Sequence, residues 1–131
     1  TYSKGDFDIV VGSRDLLKKS NVGLSYIRRL FSIILIFTIN YLLGSKTKDP
    51  MSGFFIFKKK IYTSNKKNIY KSGFKILLNL LYSTNKNLKI FENRIIFKKR
   101  FNNKSKMNFI VLFHIIISLI HYFILRFKNL T

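Results

Sequence analysis

Apolar and polar residues lie along this chain in separate blocks, and the spacing within each block predicts an element. The run Ile9–Val11, placed between Asp8 and Gly12, predicts a buried strand that passes into a loop beginning at Gly12. A helical pattern starts at Leu24. Its apolar part, Leu30–Leu43, is about 14 residues long, shorter than a membrane span and typical of an interfacial or core helix.

The middle of the chain predicts a shaped loop, a short strand, a helix and another strand. Asp49–Gly53 contains Pro50 and leads into Phe54–Phe57, an aromatic strand-like segment. Residues 58–71 are basic and polar. Within 72–85 the apolar residues follow i, i+3, i+4, i+7 spacing, which predicts an amphipathic helix, and 88–97 predicts a strand.

The end of the chain changes from charged to apolar. Residues 98–106 are almost all polar or basic, which predicts an exposed loop, and 107–125 form about 19 residues without a formal charge, the length of a short membrane span. His114 and His121 share a face of this helix and fit packing or interfacial hydrogen bonding. We therefore predict an α/β domain at 1–106, a transmembrane or interfacial helix at 107–125 and a basic tail at 126–131.

Charge and composition add a preference for anionic surroundings. The net charge is +20 although 47% of the residues are hydrophobic, and this segregation of charge from apolar runs suits a membrane surface. Charge alone also fits nucleic acid. Arginine is much rarer than lysine, so bidentate hydrogen bonds to a phosphate would have to come from some of the few arginines. With no cysteine, the chain has neither a disulfide nor a thiolate metal site.

Six segments, in this order along the chain, resemble a known enzyme family. They are Asp8–Arg14 (DIVVGSR), Arg28–Ser32 (RRLFS), Leu42–Gly44 (LLG), Asp49–Phe55 (DPMSGFF), Gly73–Leu78 (GFKILL), and Glu92 with Phe97, Arg100, Ser105 and Lys106. Together they resemble the dolichol-phosphate mannosyltransferase group of polyprenyl-phosphate glycosyltransferases, inverting family 2 enzymes of GT-A fold. The resemblance covers most of residues 6–107.

The resemblance implies the C-terminal portion of a GT-A, Rossmann-like domain, followed by a hydrophobic membrane-associated helix. The implied enzyme transfers mannose or glucose from GDP-mannose or UDP-glucose to polyprenyl or dolichyl phosphate, with its active site facing the cytoplasm. Its Mg²⁺ or Mn²⁺ ligands belong to an upstream nucleotide-binding half. Asp6-Phe7-Asp8 lies at the wrong place in the order to be that metal motif, so no metal site is predicted here. The chain begins at Thr1 and is interpreted as a fragment that does not catalyse alone.

The resemblance also assigns residues to a site. Arg14, Arg28 and Ser32 are expected to hold the acceptor phosphate, with Arg28 and Ser32 one helical turn apart. Arg100 and Lys106 are expected to close over the donor or acceptor phosphate. Asp49 is expected to orient the sugar or the arginines, or else only to cap the turn.

The rest of the DPMSGFF segment is expected to shape its loop, and three positions depart from the family pattern. Pro50, Ser52 and Gly53 are the residues expected to form the loop. Asn79 stands where an acidic residue is usual, Arg94 replaces a proline and Asn103 replaces a glycine. These departures leave open whether activity is weakened.

Two other functions stay open at this point. Aromatic residues interleaved with lysine at 54–62 and 97–101 fit a basic nucleic-acid-binding fragment, although the long apolar runs count against it. The apolar segments 31–43 and 107–125 also fit a non-catalytic membrane anchor or subunit. Binding to polyprenyl phosphate, as opposed to an oligonucleotide, separates the first alternative from the enzyme.

Overall fold

A computed structural model describes residues 5–15, 26–70, 75–84, 86–96 and 109–129. Within these ranges the chain forms a mixed α/β structure with a small sheet and two long apolar helices. The elements, in order, are β1 (Ile9–Arg14), α1 (Tyr26–Leu43), β2 (Phe55–Phe57), α2 (Lys59–Asn65), α3 (Ile76–Tyr82), β3 (Ile90–Ile95) and α4 (Phe109–Lys128).

The sheet has the strand order β2-β1-β3, so the predicted first strand lies in its centre. It runs antiparallel to β2, with Ile9 opposite Phe57, and parallel to β3, with Ile9 beside Ile90. Ile9 and Val11 are fully buried, as expected for a central strand of β-branched residues. The parallel pair brings the C-terminal end of β1 beside the C-terminal end of β3.

The strand β1 continues through Gly12 to Arg14, so the predicted loop start at Gly12 is wrong. Gly12 pairs with Asn93, and a Cβ built on Gly12 would lie only 3.0 Å from the Cδ1 atom of Ile95. The glycine therefore permits β3 to approach closely, and it does not interrupt the strand. As a result Arg14 stands in the sheet and not in a loop.

The two long helices bury one narrow stripe each. In α1 the buried apolar residues are Leu35, Ile39 and Leu43, at a spacing of four. The helix ends at Gly44, whose φ of +86° is a conformation that glycine adopts without a Cβ penalty. The C-terminal ends of α1 and α4 meet, because Arg126 Nη1 donates a hydrogen bond of 2.9 Å to the carbonyl oxygen of Leu42.

Many apolar side chains of α1 and α4 are exposed. Phe37 is 71% exposed on α1, and Phe113 is 61% exposed on α4. The helices have 18 and 20 residues with mean hydropathies of 1.5 and 2.1, and both are long and apolar enough to cross a membrane. The first is longer than the predicted 14-residue run, and the second continues to Lys128, past the predicted end at 125.

The two short helices contact each other and differ in how well the sequence predicts them. The helix predicted over 72–85 is observed as α3, in which every residue after Ile76 is buried, including Leu78 and Leu81 at 0% exposure. No element was predicted within 58–71, yet α2 forms there. Only Ile61 of α2 is buried, so this helix has too few apolar positions to show a helical period.

Candidate functional site

Arg14 and Asp49 form an ion pair that joins two of the motif segments. Arg14 Nε lies 2.6 Å from Asp49 Oδ2, and Arg14 Nη2 lies 2.8 Å from Asp49 Oδ1. The backbone N–H of Arg14 donates a third hydrogen bond, 3.2 Å long, to Oδ2. Asp49 is fully buried, whereas 14% of the Arg14 side chain is exposed. This bidentate geometry fixes the plane of the guanidinium.

The loop after Asp49 is held against the same strand. Ser52 Oγ donates a 2.6 Å hydrogen bond to the carbonyl oxygen of Gly12 and accepts one from the N–H of Phe54. The N–H of Ser52 donates to the carbonyl oxygen of Asp49, and Pro50 is fully buried. Gly53 is exposed, and a Cβ there would meet nothing within 4 Å. The loop is therefore shaped by Pro50 and Ser52 without a steric need for glycine at 53.

A third motif segment holds the loop from its other side. Glu92 Oε1 on β3 accepts hydrogen bonds from the hydroxyl of Thr47 and, at 2.7 Å, from the N–H of Lys48. Thr47 Oγ1 also accepts a 3.4 Å hydrogen bond from the N–H of Asp49. The sequence placed Glu92 in the motif set without giving it a role. Its role here is to position the residues that lead into Asp49.

Lys75, from the motif segment GFKILL, also contacts the loop after Asp49, and the sequence did not predict a role for it. Its Nζ donates a 3.4 Å hydrogen bond to the carbonyl oxygen of Met51. Burial lowers the pKa of Lys75, the positive charge of Arg14 lowers it further, and the carboxylate of Asp49 acts in the opposite direction. Lys75 therefore lies within electrostatic range of the ion pair. The motif GFKILL contained the signal, but a lysine before a helix is ordinarily read as a solvated charge.

We call the group formed by Arg14, Asp49, Ser52, Lys75 and Glu92 the Asp49 junction. Two cations, Arg14 and Lys75, lie near the fully buried carboxylate of Asp49, and the carboxylate of Glu92 binds Thr47 and the N–H of Lys48. Both oxygens of Asp49 already bind Arg14. The geometry therefore directs the Asp49 side chain to the arginine, which is one of the orientations that the sequence had left open.

The other expected phosphate ligands lie elsewhere or outside the described residues. Arg28 and Ser32 are on α1, where Ser32 is buried and Arg28 is exposed in the first turn. Among the described residues, neither forms a hydrogen bond or ion pair with Arg14 or Asp49. Arg100 and Lys106, like Asn103, lie outside the described residues.

Two of the family departures have defined contacts. Asn79 Nδ2 donates a 3.1 Å hydrogen bond to the carbonyl oxygen of Tyr70, and Asn79 Oδ1 accepts one of 2.9 Å from the hydroxyl of Tyr122. Asn79 therefore ties α3 to α4, a role that needs both a donor and an acceptor. Arg94 forms an ion pair with Asp15 at the end of β1.

The carboxylates of the described residues do not fit a divalent cation. No group of three or more His, Cys, Asp or Glu side chains comes together in the part of the chain that the structure describes. Asp6 and Asp8 face Lys58, and Lys89 lies near Asp6 as well. A carboxylate pair already compensated by lysine is a poor site for Mg²⁺ or Mn²⁺.

No protein-family model, curated protein or solved structure matches this chain.

The Arg14 guanidinium keeps one edge available within this junction. Two nitrogens of the Arg14 guanidinium bind Asp49, and Nη1 forms no hydrogen bond to the residues that the structure describes. A guanidinium fixed on one edge offers its other edge to an oxyanion without further loss of side-chain entropy. Lys75 adds a second positive charge nearby. The arrangement can bind and orient a phosphate.

Proposed function

We propose that this chain is the acceptor-side part of a polyprenyl-phosphate glycosyltransferase of GT-A fold. In this proposal it transfers a hexose from GDP-mannose or UDP-glucose to polyprenyl or dolichyl phosphate, with inversion, at the cytoplasmic face of a membrane. The observation that carries the proposal is the convergence of three motif segments on the loop that contains Asp49. These segments contribute Arg14, Lys75 and Glu92, and Ser52 of the loop itself binds β1.

The chemistry explains why such a site needs cations. An oxygen of the lipid phosphate forms a bond to the anomeric carbon, while the bond from that carbon to the nucleoside diphosphate breaks and the leaving group takes the electron pair. Acceptor and leaving group are both anions, so bringing them together requires fixed positive charge. The acceptor phosphate is ionised near neutral pH and needs no general base. Arg14 would bind the phosphate, and Lys75 would reduce its repulsion toward the leaving diphosphate.

Asp49 acts in this proposal through Arg14. A guanidinium held by two hydrogen bonds to a fully buried carboxylate cannot rotate away when a phosphate approaches. Such preorganisation is the usual source of electrostatic catalysis. In this proposal the ligands of the family's divalent cation lie upstream of these residues.

The exposed helical surface favours a lipid acceptor. Two helices that are long and apolar enough to cross a membrane present large aromatic and aliphatic side chains outward. A polyprenyl chain is an apolar ligand that such a surface would hold beside the phosphate site. The same surface would expose apolar area in a nucleic-acid complex, which disfavours the nucleic-acid alternative.

The proposal is tested in membranes that carry the full-length enzyme, by transfer of labelled sugar to polyprenyl phosphate. Arg14→Lys keeps one positive charge beside Asp49 but loses the forked guanidinium. We expect a loss of about 100-fold in turnover, comparable to removing one preorganised donor to a developing anion. Arg28→Ala tests the expected second ligand. Arg29→Ala removes the same charge from the adjacent position of α1 and is the matched control.

Three results would contradict parts of this proposal. Near-normal transfer by Arg14→Lys would remove the phosphate role of Arg14. Equal losses in Arg28→Ala and Arg29→Ala would show a general charge effect in place of a specific contact. If no nucleotide sugar supports transfer in membranes bearing the unaltered enzyme, the alternative of a non-catalytic membrane subunit is favoured.

A further inference from the structure

A separate cavity lies where the two apolar helices end. Its volume is about 430 Å³. Its lining combines the apolar side chains of Leu43 of α1 and Leu125 of α4 with polar and charged residues. Lys46, Lys86 and Arg126 contribute positive charge. We call this cavity the basic pocket, and none of its lining residues belongs to the Asp49 junction.

The chain has no carboxylate side chain available to neutralise the basic pocket. It has five acidic residues, and all of them lie in the described part of the chain. Each one is engaged elsewhere. Asp6 and Asp8 bind Lys58, Asp15 binds Arg94, Asp49 binds Arg14, and Glu92 binds Thr47 and the N–H of Lys48. A side-chain counter-ion for the pocket therefore has to come from outside this sequence.

Two of the three cations are fixed in place by backbone carbonyls. Lys46 Nζ donates hydrogen bonds of 2.6 Å and 3.1 Å to the carbonyl oxygens of Leu81 and Thr84, and it lies 5.3 Å from the centre of the Tyr82 ring. Arg126 binds the carbonyl oxygen of Leu42. These contacts cap the ends of α3 and α1 and orient the charges. They leave one N–H of Lys46 and most of the Arg126 guanidinium for a ligand.

Partial burial of the Lys46 ammonium has a free-energy cost, and a bound anion would offset it. Burial lowers the pKa of Lys46, which shows that its charged form is disfavoured where it stands. Carbonyl oxygens compensate part of this loss, and an anion compensates more because its charge is a full unit. Lys86 is exposed at the rim and can follow a ligand as it binds.

We propose that the basic pocket binds a phosphate group carried on an apolar body. Lys46, Lys86 and Arg126 would bind the phosphate, and Leu43 and Leu125 would contact the apolar portion. The pocket opens at the ends of α1 and α4, so a phospholipid beside these helices would present its headgroup at this level. Free phosphate shares the same charged chemistry but lacks the apolar contact.

The test uses the intact chain in micelles of a non-ionic detergent that contains no phosphate, at an ionic strength that screens its large net charge. Binding of three soluble probes is measured by calorimetric titration. The probes are short-chain phosphatidylglycerol, glycerol phosphate and inorganic phosphate. We expect saturable binding of the short-chain lipid, and weaker binding of the two probes without acyl chains.

Lys86→Glu is the decisive variant, because this side chain is exposed and its replacement leaves the buried contacts intact. It should weaken lipid binding roughly tenfold or more, the loss of one charged contact. Lys60→Glu changes the net charge equally on the exposed side of α2, outside the pocket, and should bind within about twofold of the unaltered chain. Circular dichroism verifies that both variants are folded.

The outcomes separate the alternatives. Equal tightness for the lipid and for inorganic phosphate would keep the phosphate site and overturn the apolar contact. Equal losses in the two variants, or binding without saturation, would overturn the site itself, since a diffuse attraction of positive charge would explain both. The result is independent of whether the Asp49 junction binds polyprenyl phosphate.

Discussion

The Asp49 junction and the basic pocket both contain fixed cations, but they fix these cations in different ways. In the junction a fully buried carboxylate holds Arg14 by two side-chain hydrogen bonds. In the pocket Lys46 and Arg126 bind only carbonyl oxygens at helix ends. A carboxylate neutralises a cation as well as orienting it, whereas a carbonyl only orients it.

This difference has a consequence for stability and for binding. The junction is largely compensated within the protein, so breaking it should cost much folding free energy. The pocket keeps its charge for an external partner, so changing it should affect binding more than folding. The chain has a net charge of +20 and only five acidic residues, and the one whose carboxylate is fully buried, Asp49, lies at the junction.

Asp49→Ala should produce the largest effect on stability. It leaves the mostly buried guanidinium of Arg14 without its counter-ion and removes three hydrogen bonds. Removing one partner of a buried pair typically lowers the free energy of unfolding by about 3–5 kcal/mol. This loss is measured by denaturant unfolding of the variant and of the unaltered chain in the same detergent.

Asp15→Ala is the matched control, because it breaks a second Arg–Asp pair in which the Arg94 side chain is 50% exposed. Exposed pairs contribute about 1 kcal/mol or less. Similar losses for Asp49→Ala and Asp15→Ala would show that burial does not distinguish the two pairs, and the comparison between junction and pocket would lose its basis.

Tyr82→Phe should have an intermediate and pH-dependent effect in the basic pocket. The Tyr82 hydroxyl donates a 2.7 Å hydrogen bond to the carbonyl oxygen of Gly44, whose loss costs about 1 kcal/mol. Burial raises the pKa of Tyr82 from 10.0 to about 12. Between these values the unfolded chain loses the proton first, so the contribution of Tyr82 to stability falls as pH rises.

The variant lacks this group, so its stability should fall less steeply between about pH 10 and 12 than that of the unaltered chain. Unfolding at neutral and at alkaline pH measures the difference. Parallel pH profiles for the two chains would show that the Tyr82 hydroxyl is not held in its neutral form by burial.

Asp6→Asn should have the smallest effect. Asp6 binds Lys58 at the protein surface, and the hydrogen bond and charge of Lys58, with a further contribution from Lys89, lower the pKa of Asp6 below 3.8. Its contribution is therefore present above pH 3.8 and is lost as pH falls through the lowered value. Unfolding at acidic pH with and without added salt measures it. A large loss that salt does not reduce would contradict a surface ion pair.

The sequence predicted much of the secondary structure because hydrophobic period is a local property. The strand predicted at Ile9–Val11, the helix predicted to stop at Gly44 and the aromatic segment predicted at Phe54–Phe57 follow from patterns within a few residues, and they are observed as β1, α1 and β2. The α2 helix escaped prediction because Ile61 is its single buried residue. The end of β1 was predicted too early, at Gly12, because this glycine is there to allow close contact with Ile95. Ile95 lies far along the chain, so no local pattern reveals that contact.

The sequence predicted several residues of the site but did not predict the contacts that they form. Resemblance named Arg14, Asp49, Ser52 and Pro50, but it left open whether Asp49 orients a sugar, holds arginine or caps a turn. Lys75 was missed, since nothing in its neighbours shows that it is buried. Arg28 and Ser32 were expected beside Arg14, and the structure describes no direct bond between them.

By itself the sequence determined that this chain has separate apolar and basic blocks, an α/β order of elements and only five carboxylates. Tertiary structure alone decided which cation receives each carboxylate. Arg14 and Asp49 are 35 residues apart, and their pairing depends on the parallel contact of β1 with β3 and on the loop that Glu92 holds. Such contacts depend on how distant elements pack, and local spacing carries no information about them.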